Sequence, residues 1–280
     1  MKAGLETSDT LSTVSRRYGH EIQTTENGYG LEWLTRQRAN RLFGITNGVD
    51  YEVWNPATDA ELPAHYDASD LSGKLECKRA MLDRFSLPID LDRPVFANIT
   101  RLTGQKGIDL MMQVAGEILA SGAYIISLGS GEKQYEDFWQ RLRNHAPSQV
   151  GIYRGYSEPL AHLIEAGADM FMMPSKFEPC GLNQMYSLRY GTVPIVRAIG
   201  GLDDTVQNWD GVTGTGNGFK FGPYSGHAFL EKIYEALFAY GDPDTWHRIQ
   251  QNGMSVDNSW ENAARKYIEL YKWTRQNYQQ

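Results

Sequence analysis

Residues 175–206 read SKFEPCGLNQMYSLRYGTVPIVRAIGGLDDTV, which sets one carboxylate, Glu178, ahead of a Pro-Cys-Gly-Leu turn that runs into a helical pattern. The amides of Cys180, Gly181 and Leu182 would then point where Glu178 points, and Gly181 lets a ligand come close to the backbone. A carboxylate accepts hydrogen bonds from hydroxyls, while free amides at a helix start favour a phosphate, so the combination suits a ligand carrying both, such as a nucleotide sugar. A lone acid at a helix start is also what the helix dipole favours by itself. Three other segments offer partners, each with a bland alternative. In TRLTGQKGIDL, Arg101 and Lys106 bracket a glycine-containing turn at a helix start, either as a phosphate clamp or as two solvated surface charges. LGSGE places Gly129 and Gly131 in a turn that serves a phosphate or merely the chain reversal. In RGYSEP, Tyr156 is a platform for a nucleobase or a half-buried packing residue.

Each of these four segments follows a short β-rich run. From Pro94 onward VFANIT, AYIISLGS, VGIYRGY, DMFMMPS and VPIVRAI alternate with helical patterns. Ile108, Met111, Val114, Ala115, Ile118 and Leu119 recur at helical spacing, and residues 132–145, 159–166 and 181–190 read as the next helices. Right-handed crossovers stack such strands into a doubly wound parallel sheet whose ligands sit at the carboxyl ends of the strands. Before residue 91 the text is polar and irregular, with helical patterns only around residues 30–42 and 73–85. The change of pattern predicts a boundary near residue 91. The tail, residues 260–278, carries Ala263, Ala264, Tyr267, Ile268, Tyr271 and Trp273 as one apolar stripe, a helix that packs back on the rest.

With 27 basic against 34 acidic residues among 280, the net charge of -7 leaves no broad footprint for nucleic acid or an anionic membrane, so any anion site must be local. Cys77 and Cys180 lack metal-type spacing and read as reduced thiols of a cytoplasmic protein, with no metal site expected. No signal pattern opens the chain, and no run approaches the roughly 18 apolar residues of a membrane span.

Taken together, PSKFEPCGLNQMYSLRYGTVPIVRAIGGLDDTV, ITRLTGQKGIDL and GITNGVDYEVWNP resemble the bacterial glycogen synthase and plant starch synthase family, retaining glycosyltransferases of the family 5 type with a two-domain GT-B fold. The opening MKAGLETSDTLSTVSRRYGHEI resembles the segment that closes the family's acceptor-side domain, and ENGYGLEWL the loop after it. The resemblance implies an α/β, GT-B type chain truncated at its N-terminus. Residues 1–91 would be a remnant of the acceptor-side domain and linker, 92–258 a Rossmann-like donor-binding domain, and 259–280 a helix returning toward the first domain. It implies transfer of glucose from ADP-glucose to the non-reducing end of an α-1,4-glucan, with no cofactor beyond that substrate. Arg101 and Lys106 match the pair that holds the distal phosphate and stabilises leaving ADP, and Glu178 matches the acid that binds glucose hydroxyls at the reacting centre. Tyr156 matches the adenine platform, Asn47 an asparagine near the donor glucose, and Cys180, Gly181 and Leu182 the backbone cradle. Gly129, Gly200 and Gly201 are expected in donor-binding turns.

The departures matter as well. The family's KxGGL loop and the segment with its catalytic histidine are absent, and His20, His65, His145, His162, His227 and His247 match none of that role. Ile199 stands where threonine is common, and Tyr186 occupies the place of a second acid in other GT-B families. The chain alone is therefore expected to bind ADP weakly and transfer little glucose. The alternatives are a noncatalytic nucleotide-sugar or glucan-binding module served by a separate acceptor-domain chain, and a gene fragment that starts at an internal methionine. Nothing in the residues excludes UDP-glucose as donor.

Overall fold

The computed structural model describes residues 2–278. Residues 2–44 build a small unit of α1 (Lys2–Thr7), β1 (Leu11–Thr13), α2 (Arg16–Glu21), α3 (Glu32–Gln37) and β2 (Leu42–Gly44), with Leu11 of β1 opposite Leu42 of β2 in a parallel pair. Turns then lead to α4 (Ser72–Arg84) and to the expected alternation: β3 (Val95–Ile99), α5 (Ile108–Ala120), β4 (Tyr124–Gly129), α6 (Lys133–His145), β5 (Val150–Arg154), α7 (Glu158–Gly167), β6 (Met170–Met173), α8 (Asn183–Arg189) and β7 (Val193–Arg197). After these come α9 (Gly200–Thr205), β8 (Phe219–Phe221), α10 (Gly226–Tyr240), α11 (Pro243–Met254) and α12 (Trp260–Tyr278). Residues 207–258 carry no strand signal as plain as those before them. β8 is only three residues long and follows a glycine-rich stretch, which hides it, whereas α10 buries Phe229, Ile233 and Ala236 at plain helical spacing.

The strands form one parallel sheet in the order β5-β4-β3-β6-β7-β8. Alternation along them divides the core. Phe96, Ile125, Met170, Ile195 and Phe219 face α5 and α10, whereas Val95, Ala97, Ile126, Phe171 and Val196 face α4 and α7. A parallel sheet covered on both faces needs such near-continuous apolar strands. No helix among the described residues is long and apolar enough to cross a membrane.

The boundary expected near residue 91 falls inside this packing. Helix α4 already belongs to the sheet's outer layer, burying Cys77, Met81 and Leu82, with a Cβ on Gly167 of α7 only 2.9 Å from the Cys77 carbonyl oxygen. Its apolar stripe is disguised because two of its buried residues are lysines. Lys74 Nζ donates to the carbonyls of Ala166 (2.9 Å) and Tyr190 (3.1 Å) and to Thr192 Oγ1 (2.7 Å). Lys78 Nζ donates to Asp169 Oδ2 (2.7 Å) and the Leu91 carbonyl (2.8 Å), and the same carboxylate oxygen accepts the Val95 amide (2.8 Å). Buried charges persist only when paired and hydrogen-bonded in this way. At the other end, Trp273 of α12 meets Phe43 edge-on at 4.8 Å, and Thr274 Oγ1 lies 3.1 Å from Thr10 Oγ1, so the tail packs against the β1–β2 unit. Residues 1, 279 and 280 of the terminal intervals lie outside the described residues.

Beside Lys74, Glu165 of α7 is fully buried and accepts the Ser187 hydroxyl at 2.7 Å. Burial pushes the Glu165 carboxyl up to about 8 and the Lys74 ammonium down to about 8. Between the ordinary Glu value and about 8 the fold keeps a proton that the unfolded chain has lost, so stability falls as pH rises. Above about 8 the unfolded chain holds the Lys74 proton that the fold has lost, so stability rises again. Denaturant midpoints measured across pH should therefore show a minimum near 8, and Glu165→Gln should remove the fall on its acid side. An unchanged profile in that variant would contradict a buried, protonated Glu165.

Candidate functional site

Two segments leaving the sheet build the site. After β3 the chain runs through residues 104–106, and after β6 through residues 176–178. They lie side by side, with the Lys176 amide donating to the Gln105 carbonyl at 2.8 Å and Gln105 Nε2 to the Phe177 carbonyl at 3.1 Å. Gly107 permits the approach: it takes φ 73°, and a Cβ there would stand 2.1 Å from the Pro174 carbonyl oxygen. The result is Lys106 Nζ at 2.5 Å from Glu178 Oε2, an oxygen that also accepts from Ser175 Oγ at 3.2 Å. Among the described residues Glu178 Oε1 takes no hydrogen bond, although the side chain as a whole is buried.

This pair stands in a cavity of about 370 Å³ at the carboxyl ends of β3 and β6, where a doubly wound sheet binds its ligands. Arg101, Lys106, Glu178, Cys180, Gly181, Leu182 and Asn47 all line it. The residues singled out on both sides of residue 91 thus meet in one place, and two cations against one carboxylate give the cavity a local positive charge that the chain as a whole lacks. Helix α8 starts at Asn183, so Cys180, Gly181 and Leu182 precede its first turn, and their amides find no acceptor among the described residues. Burial pushes the Cys180 thiol up, which keeps it protonated and a poor nucleophile at neutral pH.

The other expected residues lie elsewhere. Gly129 is buried at the end of β4, where a Cβ would come within 1.9 Å of the Thr100 carbonyl oxygen. It backs the wall and does not face the cavity. Gly200 and Gly201 open α9 behind Glu178 rather than beside the ligand space. A Cβ on Gly200, which has φ 46°, would stand 1.8 Å from the Glu178 carbonyl oxygen, and the Gly201 amide donates to that same oxygen at 3.3 Å. The Gly200 amide is occupied by Glu21 Oε1 at 3.0 Å. These glycines brace the backbone of the acid, a role a phosphate-turn reading does not anticipate. Tyr156 lies just past β5, 73% exposed and outside the cavity lining. His162 is buried, bonded to Asp59 Oδ2 at 2.7 Å and stacked on Trp54, consistent with packing.

Three further residues contribute to the site: Ser175, Asn183 and Glu21. Ser175 and Asn183 line the cavity, and their places, directly after a strand and in the first turn of the following helix, are signals the motif offered. Glu21 had no such signal, because only the docking of α2 on α9 brings it to Gly200; Arg17 Nε supports it at 3.1 Å, and Asp204 Oδ2 accepts the Arg16 amide at 2.6 Å.

Residues 81–256 match the family model "Glycosyl transferases group 1", and residues 1–37 match "Starch synthase catalytic domain". A glycogen synthase of Koribacter versatilis (strain Ellin345) is 47% identical over 276 residues, 99% of this chain and 57% of the relative. One of Myxococcus xanthus (strain DK1622) is 50% identical over 271 residues, 97% of this chain and 56% of the relative. Among solved structures, the catalytic domain of starch synthase IV from Arabidopsis thaliana, bound to ADP and acarbose, superposes with a TM-score of 0.91 at 37% identity, covering 98% of this chain and 57% of that one. A glycosyltransferase from Rickettsia africae, with a TM-score of 0.70 at 17% identity over 99% of this chain and 67% of its own, shares the fold. The chain thus spans a little over half the length of the curated relatives it matches.

Lys106→Ala and Arg101→Ala should each weaken binding of a nucleoside diphosphate by about 1.5–3 kcal/mol in calorimetry, the range for charge-assisted hydrogen bonds. Lys106→Ala alone should also lower thermal stability, since it leaves Glu178 buried without its cation. Unchanged affinity in both variants would return the two cations to surface charges.

Proposed function

Because the chain belongs to the Glycosyl transferases group 1 family and has the GT-B fold, we propose that it carries the donor site of a glycogen or starch synthase-type glucosyltransferase. The reaction is retaining transfer of glucose, in the cytoplasm, from ADP-glucose to the non-reducing end of an α-1,4-glucan. The observation that carries this reading is the Lys106–Glu178 pair, 2.5 Å apart beside the amides of Cys180, Gly181 and Leu182, which find no acceptor among the described residues. The starch synthase IV it resembles is bound to ADP and acarbose in its solved structure, which supports a nucleotide and a glucan mimic as ligands.

On this reading the diphosphate lies against Arg101 and Lys106. As the bond between the glucose C1 and the phosphate oxygen lengthens, negative charge gathers on the distal phosphate, and two cations already in place stabilise it without reorganising. Glu178 Oε1 accepts from a glucose hydroxyl, the cradle amides hold the sugar and phosphate oxygens, and Asn47 closes the cavity from the β2 side. The acceptor hydroxyl attacks C1 on the face ADP is leaving and gives its proton to the departing phosphate, so configuration is kept. Glycosidases place two carboxylates across the bond; here the donor phosphate takes the place of one, and a single acid suffices. Tyr156, exposed beyond β5, offers its ring to the adenine. A separate acceptor-side chain is a further part of the proposal, checked by whether such a polypeptide co-purifies with this one.

Calorimetric titration of the chain with ADP and with UDP tests the reading. It predicts one ADP site and weaker UDP binding. Failure of a folded chain to bind either nucleotide would contradict a donor site held by these residues, and equal binding of both would contradict ADP-glucose as the preferred donor.

A further inference from the structure

The wall that carries Lys106 and Glu178 has a second side. Adjacent residues of its two segments face opposite ways: Lys106 and Glu178 line the donor cavity, while Gln105 and Phe177 line another of about 750 Å³. The lip of this second cavity is the loop before α3, where Tyr29 stands 80% exposed between Gly28 and Gly30. Its φ of 52° is left-handed, a strained conformation for a tyrosine, and so exposed a ring gains little burial in return. The ring stands edge-on to Phe177, centroids 6.5 Å apart.

Around these rings sit Glu26, Asp109, Gln105 and Lys176. The Tyr224 hydroxyl donates to Asp109 Oδ1 at 2.6 Å, and Lys176 Nζ lies 5.9 Å from the centre of the Tyr224 ring. Lys176 and the Arg197 guanidinium, 5.4 Å from the centre of the Tyr224 ring, balance the carboxylates of Glu26 and Asp109, so the cleft lacks the net positive charge of its neighbour and favours no anion. A neutral ligand with apolar ring faces and a rim of hydroxyls answers both features: faces against Tyr29 and Phe177, hydroxyls to the carboxylates and the Gln105 amide. The volume lies within the roughly 300–1,000 Å³ usual for ligand clefts.

We propose that this cleft is a second carbohydrate site, one that holds a segment of a neutral α-linked glucan apart from the donor cavity. The identity of the sugar rests on the glucosyltransferase reading; the existence of the site rests on the cleft itself. Because the same two backbone segments form both cavities, glucan held here lies directly behind the Lys106–Glu178 pair.

The test is titration of the 280-residue chain with maltoheptaose, with and without saturating ADP, and with cellohexaose as the β-linked control. Saturable maltoheptaose binding that persists with ADP, weakens about tenfold in Tyr29→Ala and recovers in Tyr29→Trp is expected. Amide shifts at Gln105 and Lys176 in NMR spectra should accompany it. No saturable maltoheptaose binding by a folded chain overturns the proposal, as does binding that Tyr29→Ala leaves unaltered; equal binding of cellohexaose overturns the α-linked class. ADP binding in the same samples separates the two readings: maltoheptaose bound without ADP would contradict the donor site and leave this one standing, and ADP bound without maltoheptaose would do the reverse.

Discussion

The architecture turns on one close approach. The segment leaving β6 crosses the start of α5 so tightly that only a glycine with positive φ fits at position 107. That contact brings residues 104–106 and 176–178 together and places an ammonium against a nearly buried carboxylate. An ion pair removed from water is weak evidence for stability, because desolvation offsets much of the attraction. Its value here is geometric. Lys106 is already positioned, and Glu178 keeps one oxygen without a partner among the described residues, so a ligand that brings phosphate and hydroxyls together can engage both without a rearrangement of the backbone. The bracing by Gly200 and Gly201 and the reach of Glu21 across to α9 serve the same end, holding the Glu178 segment from behind.

Around that wall the chain separates two electrostatic environments. The cavity at Lys106 is cationic in a protein whose net charge is -7, and the cleft behind it is aromatic with its charges in balance. Local arrangement, not overall composition, sets the field in each. At the opposite end of the sheet, Lys74 and Lys78 tie α4 to the carbonyls and carboxylates of the strand entrances. The sheet is thus anchored at one end by buried cations bonded to several protein acceptors, while at its carboxyl ends Lys106 meets the single acceptor Glu178 at the wall of a cavity.

Much of this was legible in the residues. Alternation of β-rich runs with helical spacing marks β3 to β7 in order, because a parallel sheet covered on both faces demands it, and attention to the strand carboxyl ends singles out Arg101, Lys106 and Glu178, which the fold brings into one cavity. What stayed hidden depends on tertiary contact. Buried lysines masked the inward face of α4, since a lysine reads as surface unless its acceptors are known. The bracing role of Gly200 and Gly201 could not be told from a phosphate turn, because both need a glycine and differ only in what lies within a few ångströms. Glu21 and Tyr29 lie in segments whose resemblance assigned them no role, and they take their places only when the β1–β2 unit docks on the sheet.

The most direct measurement is a crystal structure of the chain soaked with ADP. It should show the distal phosphate within hydrogen-bond distance of both the Lys106 ammonium and the Arg101 guanidinium, with the amides of the Cys180–Leu182 turn facing the same pocket. ADP bound elsewhere, with Lys106 still engaged by Glu178 alone, would contradict the assignment of this wall as the donor site.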